Sequence, residues 1–367
     1  MNITPEILDR NLAIRDLTDP EMGSHALQQI VSLLHGGLAK CWGSKRLVYR
    51  SCPIVTVKEN YDRLGYPPEG VSRDARYTRY ITRDVLLRTH TSAIIPALLS
   101  SLALHPPDDL LLVCPGLVYR RDVIDRLHVG EPHQVDLWRI KSARLDKRDL
   151  HEMIDIVVTA VVPGYECRTV KSLHAYTLEG VQVDVKVNGK WVEIGECGVA
   201  NPKLLAKSGL PETIGGLAMG LGLDRLLMIR KEIDDIRLLR STDPRVAIQM
   251  QNLDRYQPVS NQPAIQRDLS LCVSDDLSPE EVGDRVREVM DYDLDSLESL
   301  EIISETSYTD LPEPARERMG MLPRQKNILV RLLIRHSTKT LIAIEANRIR
   351  DRVYLALHEG KKMELTM

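Results

Sequence analysis

The chain has 367 residues, 28% of them charged, with a formal net charge of −3. That balance excludes a globally basic nucleic-acid binder, so any RNA surface must be a local patch. No apolar stretch is long enough to span a bilayer and no signal-peptide pattern opens the chain. A cytoplasmic protein with no membrane partner and room for two or three cores is therefore expected.

Residues 1–79 read as a mixed N-terminal segment that packs on the core. Met22, Leu27, Ile30, Val31 and Leu34 recur at helical spacing between Pro20 and Ala39. Tyr66-Pro67-Pro68-Glu69-Gly70 is a turn, and residues 72–76 form a polar loop. Residues 80–255 alternate strands with a few helices, the pattern of an antiparallel sheet flanked by helices. Residues 256–263, with two prolines, form a linker. Residues 264–367 read β-α-β-β-α-β, a ferredoxin-like split unit. Its elements are a strand at Leu269–Val273, a helix opened by Ser278-Pro279 and running to Met290, and β-rich stretches at 300–308 and 328–334. An amphipathic helix over 345–358 and a final strand over 361–366 complete it. The fold class is α+β. Six scattered cysteines without a Cys-x-x-Cys argue against structural zinc and for a reducing compartment. The chain contains no Phe; chance or lineage bias is one reading, and, for a protein that handles phenylalanine, manufacture when charged tRNA for that residue is scarce is the other.

Two segments carry chemistry. In Gly220-Leu221-Gly222-Leu223-Asp224-Arg225, glycines Gly220 and Gly222 let a strand run close to a ligand, and Arg225 stands at the start of an apolar helix. A guanidinium and open N–H groups meet an anion there. The segment is neither a P-loop nor a dinucleotide fingerprint. The other reading is a bulge with a solvated arginine. In residues 116–136, Arg120 and Asp122 lie two apart on one strand face, a charged loop follows, and a second strand brings His133, Gln134 and Asp136. Such a hairpin gathers cations for phosphate at one end. At the other it offers an amide and a carboxylate to an ammonium. A plain surface salt bridge is the alternative.

Together the segments resemble motifs 2 and 3 of the class II aminoacyl-tRNA synthetases, specifically the phenylalanyl-tRNA synthetase family. Val118-Tyr119-Arg120-Arg121-Asp122 is similar to motif 2, with His128 and His133-Gln134 at the family's spacing. Leu87-Arg88-Thr89-His90-Thr91-Ser92 and Trp191-Val192-Glu193-Ile194-Gly195-Glu196-Cys197-Gly198 match in order across residues 80–250. The resemblance implies a class II antiparallel sheet, with ATP and Mg²⁺ as cofactors. Arg120 would hold the α-phosphate and the substrate carboxylate, and Arg225 the γ-phosphate. Asp122 would meet the adenine amino group, His128 the outer phosphates, and Glu193 the metal. Gly220 and Gly222 would border the nucleotide. His90, Ser92, Gln134 and Asp136 would receive the backbone end of the amino acid.

This chain departs from the family at several points. Pro132 stands where the family stacks a Phe on adenine, and Asp136 where it has Glu. His174-Ala175-Tyr176 replaces its Phe-Pro-Phe, so His174, Tyr176 and Ala218 would line the side-chain pocket. Leu217 and Met219 replace the aromatics around Ala218. The C-terminal unit resembles the ferredoxin-fold anticodon-binding domain of single-chain members. Arg331, Arg335, Lys339, Arg348 and Arg352 lie among its many cations, a candidate RNA face whose alternative is a solvated surface. The expected activity is ATP-dependent activation of an amino acid, with phenylalanine first, and transfer to tRNA (tRNA-Phe), by a monomer or homodimer. The alternative is a paralogue with another amino acid or acceptor, or a non-charging RNA-binding regulator.

Overall fold

The computed structural model describes residues 2–259, 262–336 and 339–363. By their contacts these form two compact units. The first comprises residues 1–120, 131–233 and 248–256, and the second residues 121–130, 234–247 and 257–367. The N-terminal segment is thus part of the same unit as residues 131–233. Residues 121–130 and 234–247, read from sequence as core, belong with the C-terminal unit instead.

In the first unit the strands run in chain order as β1 (Lys45–Val48), β2 (Ile54–Thr56), β3 (Val85–Leu87), β4 (Asp109–Leu117), β5 (His133–Lys141), β6 (Cys167–Lys171), β7 (Thr177–Val187), β8 (Lys190–Ala200) and β9 (Gly215–Gly222). A seven-stranded sheet has the order β1-β4-β5-β9-β8-β7-β6, and β2 pairs with β3. Only β1 against β4 is parallel; every other pairing in the large sheet is antiparallel. The helices are α1 (Pro5–Leu12), α2 (Ala26–Trp42), α3 (Val57–Asn60), α4 (Ile95–Leu102), α5 (Lys147–Val161), α6 (Pro202–Lys207) and α7 (Leu223–Lys231). Local chemistry starts several of them. Thr4 caps α1 with Pro5 at its first position. Asp146 and Asp149 close a reciprocal capping box on α5, and Asn201 caps α6 ahead of Pro202. Leu27, Ile30, Val31, Leu34 and Leu38 make the buried stripe of α2, which ends at Gly43 in the left-handed region.

Period-two alternation divides the large sheet into two chemically different faces. Leu137, Leu217, Met219, Leu221 and Val183 are buried on one face, which α2, α5 and α7 cover. The opposite face carries Gln134, Asp136 and Trp138 of β5. In register with them stand Gly222, Gly220 and Ala218 of β9, and Glu196 of β8 lies beyond Gly220. A strand that placed an apolar residue at Asp136 would bury it among hydroxyls and carboxylates, so the alternation fixes the register. It also corrects one reading: Leu217 and Met219 point away from Ala218, into the helix-covered core.

The second unit is built on β10 (Ile265–Ser274), β11 (Leu297–Ser307) and β12 (Gln325–Ile334), ordered β10-β12-β11 and antiparallel throughout. Besides the short α8 (Pro244–Ala247) it has α9 (Pro279–Met290), α10 (Glu313–Met319) and α11 (Ala343–Leu357). Leu271 and Val273 of β10, Val282 and Val286 of α9, and Val353 and Leu357 of α11 are buried in one core. The order is β-α-β-α-β-α: α10 stands between β11 and β12, where the sequence pattern led to a direct strand-to-strand connection. The final strand expected over 361–366 falls partly on residues outside those described. Ile124 enters the same core, and its carbonyl accepts from Leu300 N–H at 3.0 Å. Arg287 Nη1 and Nη2 donate to the carbonyls of Asp122 and Val123 (both 2.5 Å). A Cβ on Gly283 would lie 2.5 Å from the Asp122 carbonyl, so only glycine lets α9 come this close.

Candidate active site

The polar face of the large sheet gathers most of the residues singled out by sequence. Asp136 sits in the middle of β5 and is 2% exposed. Its Oδ2 accepts from Thr91 Oγ1 (2.7 Å) and Ser92 Oγ (2.9 Å), and its Oδ1 from Trp138 Nε1 (3.1 Å). All three donors are neutral, and no basic side chain pairs with Asp136 among the described residues. Burial therefore raises its pKa, against the hydrogen bonds and the field of Arg88. A buried carboxylate without a cation is costly on its own and suits a cationic ligand. Gly220 holds a path to it open: a Cβ there would have Asp136 Oδ2, 4.0 Å away, as its nearest neighbour. Gly222 borders open space in the same way and lies opposite the half-buried Gln134.

Arg225 projects from the first turn of α7, whose N-terminus at Gly222 has no side-chain cap. Its Nη1 donates to the Glu193 carbonyl at 3.0 Å. Asp224 is committed elsewhere. It accepts from His133 N–H (2.5 Å) and from His133 Nδ1 (2.8 Å), while His133 Nε2 accepts from Leu17 N–H (3.1 Å). The first-turn N–H groups of α7 are thus left to meet an anion beside Arg225. Arg120 lies just past β4, which ends at Leu117 and not at Asp122 as the hairpin reading required. It forms an isolated bridge with Thr78 and donates Nε to the Thr89 carbonyl (2.8 Å). Arg120 and Arg225 act on one group: burial and then Glu196 raise the pKa of Glu193, while Arg225 and Arg120 both pull it down. Two guanidiniums and the Glu193 carboxyl therefore share one electrostatic neighbourhood. Pro132 is half-buried, its carbonyl accepting from Val118 N–H at 2.9 Å.

His90 stacks on Tyr66 (5.6 Å between centroids) and meets Tyr61 edge-on. Among the described residues neither of its ring nitrogens has a hydrogen-bond partner of ordinary geometry, though the Asn60 backbone favours protonation. Burial pushes its pKa down to about 3, helped by the charges of Arg120 and Arg88. Tyr66 leans over the same site, its hydroxyl pushed up to about 12 by burial and then by Asp136 and Glu196. Arg88 braces the floor. Its Nε donates to the Leu117 carbonyl (2.7 Å) and its Nη1 to Ser51 Oγ (3.0 Å), and a Cβ on Gly116 would fall 2.2 Å from its Nη2.

Several expected residues are placed differently. His174 uses Nε2 on the Glu196 carboxylate (3.0 Å) and Nδ1 on Thr177 Oγ1 (3.1 Å), so both ring nitrogens are engaged in anchoring its loop. That contact, more than any other, holds the Glu196 carboxyl below its usual range. Tyr176 stacks on Trp138 with centroids 5.8 Å apart. Ala218 is 1% exposed and packs with Trp138 in an apolar cluster, not against open space. Asp122 and His128 both fall in segment 121–130 of the second unit. Asp122 Oδ1 accepts from Val123 N–H (2.8 Å), and His128 Nδ1 lies 2.8 Å from Asp125 Oδ2. Thr91, Trp138, Tyr66 and Glu196 were not assigned roles from sequence. Thr91 sits inside the quoted Arg-Thr-His-Thr-Ser element, and Trp138 two residues past Asp136 on the same strand face.

The candidate RNA face of the second unit is largely neutralised from within. Arg331 pairs with Asp268 (2.8 Å), Arg335 with Glu298 (2.9 Å) and Lys339 with Glu345 (3.4 Å), and Arg352 pairs with Asp293. Arg348 is exposed on α11. No helix among the described residues is long and apolar enough to cross a membrane.

The chain is similar to known proteins over most of its length. A Drosophila melanogaster protein described as "Probable phenylalanine–tRNA ligase, mitochondrial" is 26% identical over 96% of this chain and 86% of its own length. A phenylalanine–tRNA ligase alpha subunit of Prochlorococcus marinus is 37% identical over 51% of this chain and 54% of its own. The chain thus spans about half the length of the alpha-subunit relatives it matches. A pyrrolysyl-tRNA synthetase crystal structure from Desulfitobacterium hafniense aligns with a TM-score of 0.47 and 19% identity, over 64% of this chain and 78% of that one. Residues 21–250, which hold the polar sheet face and both arginines, match the model of the class II core domain (F) of tRNA synthetases. The chain belongs to the class II tRNA synthetase core family.

Proposed function

We propose that this protein activates an amino acid with ATP and transfers it to tRNA, and that the amino acid is phenylalanine, as the names of its relatives indicate. The observation that carries the reading is Asp136: a buried carboxylate with three neutral donors and, among the described residues, no paired cation, beside the open space at Gly220. The substrate ammonium supplies the missing charge, taking the acceptor capacity left on Oδ1, with Gln134 beside it. The substrate carboxylate then lies toward Arg120. Because it is already ionised at neutral pH, it attacks the α-phosphate of ATP without a general base. Rate comes from alignment and from charge stabilisation by Arg120, Arg225 and the open N-terminus of α7. The carboxylate–phosphate bond forms as pyrophosphate leaves, and a ribose hydroxyl of tRNA displaces AMP in the second step.

Mg²⁺ fits as an ion held mainly by phosphates. Glu193, whose carboxyl burial and Glu196 destabilise as an anion, is the residue that would hold it. No cluster of three or more ligating side chains exists among the described residues, so Glu193 would contribute a single carboxylate to the ion. When bound, it neutralises developing phosphate charge. Amino-acid-dependent exchange of labelled pyrophosphate into ATP tests the proposal across all twenty amino acids. Exchange with phenylalanine supports it; exchange with none overturns it.

A further inference from the structure

The proposed reading gives the outer phosphates of ATP to Arg225 and the open first turn of α7, and leaves open what fixes that turn against the sheet. Arg225 ties it to β8 through the Glu193 carbonyl (3.0 Å). Asp224, one residue earlier, ties it to β5. Its Oδ2 accepts from the His133 N–H (2.5 Å) and its Oδ1 from His133 Nδ1 (2.8 Å). Asp224 and His133 are 6% and 1% exposed. An aspartate in the first turn of a helix is drawn to that turn's own N–H groups, where its charge would compete with an incoming anion. Here both carboxylate oxygens accept from the neighbouring strand instead. The tautomer that allows this is set by the N-terminal segment. Leu17 N–H donates to His133 Nε2 at 3.1 Å, so Nε2 is the bare nitrogen and Nδ1 carries the proton that Asp224 accepts. Leu17 is 3% exposed and sits in a braced turn. Asp16 Oδ1 accepts from Thr18 N–H (2.8 Å) and Thr18 Oγ1 (2.7 Å), and Arg50 Nη1 donates to Thr18 Oγ1 (2.7 Å). Asp16 itself stands 3.9 Å from His133 Nε2, beyond hydrogen-bond reach.

We infer that His133 is a positioning residue of the nucleotide site: held by the Leu17 N–H on one ring nitrogen, it fixes Asp224 with the other, and through it the first turn of α7 and Arg225. This rests on the proposed activation reaction. His133, Asp224 and Leu17 touch neither substrate; they act through Arg225, and so on ATP and not on the amino acid.

The test removes the two ring nitrogens separately. His133→Asn keeps a donor near Nδ1 and loses the acceptor for Leu17, whereas His133→Gln keeps an acceptor near Nε2 and loses the donor to Asp224. ATP KM from pyrophosphate exchange and ATP Kd from calorimetry are measured in the full chain for both variants, with and without Arg225→Ala. His133→Gln is expected to raise both constants about tenfold, close to the loss of the Arg225 contact itself, while the phenylalanine KM stays within about twofold. His133→Asn is expected to raise the ATP constants several-fold less. In the Arg225→Ala background His133→Gln should add less than about twofold, because residues that act as a unit are not additive. If His133→Gln does not fold, Asp224→Asn, which turns an NH₂ toward one of the two His133 donors, carries the same comparison. Full additivity in the double variant, equal losses in His133→Asn and His133→Gln, or a parallel rise in the phenylalanine KM would show an ordinary packing role and overturn the inference. If the wild-type chain exchanges with no amino acid, activation is refuted while the calorimetric ATP constants still decide the coupling of His133 to Arg225. If ATP binds neither wild type nor variants, both readings fall.

Discussion

Replacing Asp136 by Asn separates binding from folding, because the two effects have opposite signs. Asn has the same shape, and the hydroxyls of Thr91 and Ser92 (2.7 and 2.9 Å from Oδ2) can turn to accept from its amide. The folded protein thus loses little hydrogen bonding and no longer buries a carboxylate that lacks a cation, so stability holds or rises. The substrate ammonium loses a charge-assisted hydrogen bond worth about 1.5–3 kcal/mol. At 1.36 kcal/mol per tenfold, amino-acid KM rises roughly 10- to 150-fold. Pyrophosphate exchange over an amino-acid titration, beside thermal melts of both proteins, reads the two effects. An unchanged KM, or a KM rise accompanied by a loss of several degrees in Tm, would show that Asp136 is structural and refute the reasoning. Its pKa is raised, so the amino-acid affinity of the wild type should fall with acid earlier than that of an ordinary carboxylate site, and that loss should be absent from the variant.

Other outcomes follow from the same geometry. Arg225→Ala is expected to raise the ATP KM about 10-fold or more, the loss of one charge-assisted contact, with the amino-acid KM little changed in the same exchange assay. His90 is held neutral with a folded pKa near 3 against an ordinary value of 6.5. The unfolded chain therefore binds the extra proton between those values, and stability contributed by this group falls as pH drops from 6.5 toward 3. In His90→Asn, the slope of unfolding free energy against pH over that window should flatten by up to about 1.4 kcal/mol per unit, measured by urea melts. Leu271→Ala, fully buried in the second unit, should cost about 2–5 kcal/mol in the same melts. Arg348→Glu should weaken tRNA binding and flatten its salt slope by about 1, whereas Arg331→Ala, already paired with Asp268, should change the slope much less.

The elements with strong local signals were legible in the sequence. Ser278-Pro279 opened α9 where expected, and the alternation at 269–273 marked β10. Arg225, Asp136 and the two glycines could be singled out because the motifs that carry them span only a few residues each. What stayed hidden depends on partners far along the chain. Trp138 acquires its place only through register with Ala218, and register is set by tertiary pairing. The basic count near the C-terminus could not reveal that Asp268, Glu298 and Asp293 would answer it. Nor could it show that residues 121–130 are drawn into the second unit by Ile124 and Arg287. That membership also rules out deletion of the C-terminal residues as a clean test of RNA binding, since it would strip the packing from this segment.

The central claim is that one sheet face holds the amino acid at Asp136 and the nucleotide phosphates between Arg120 and Arg225. A crystal structure with a non-hydrolysable phenylalanyl-adenylate analogue, and another with ATP, tests it most directly. The expected result is an ammonium against Asp136, and phosphates against both guanidiniums. Ligands bound away from this face, or an arginine of the pair turned from the phosphates, would contradict it.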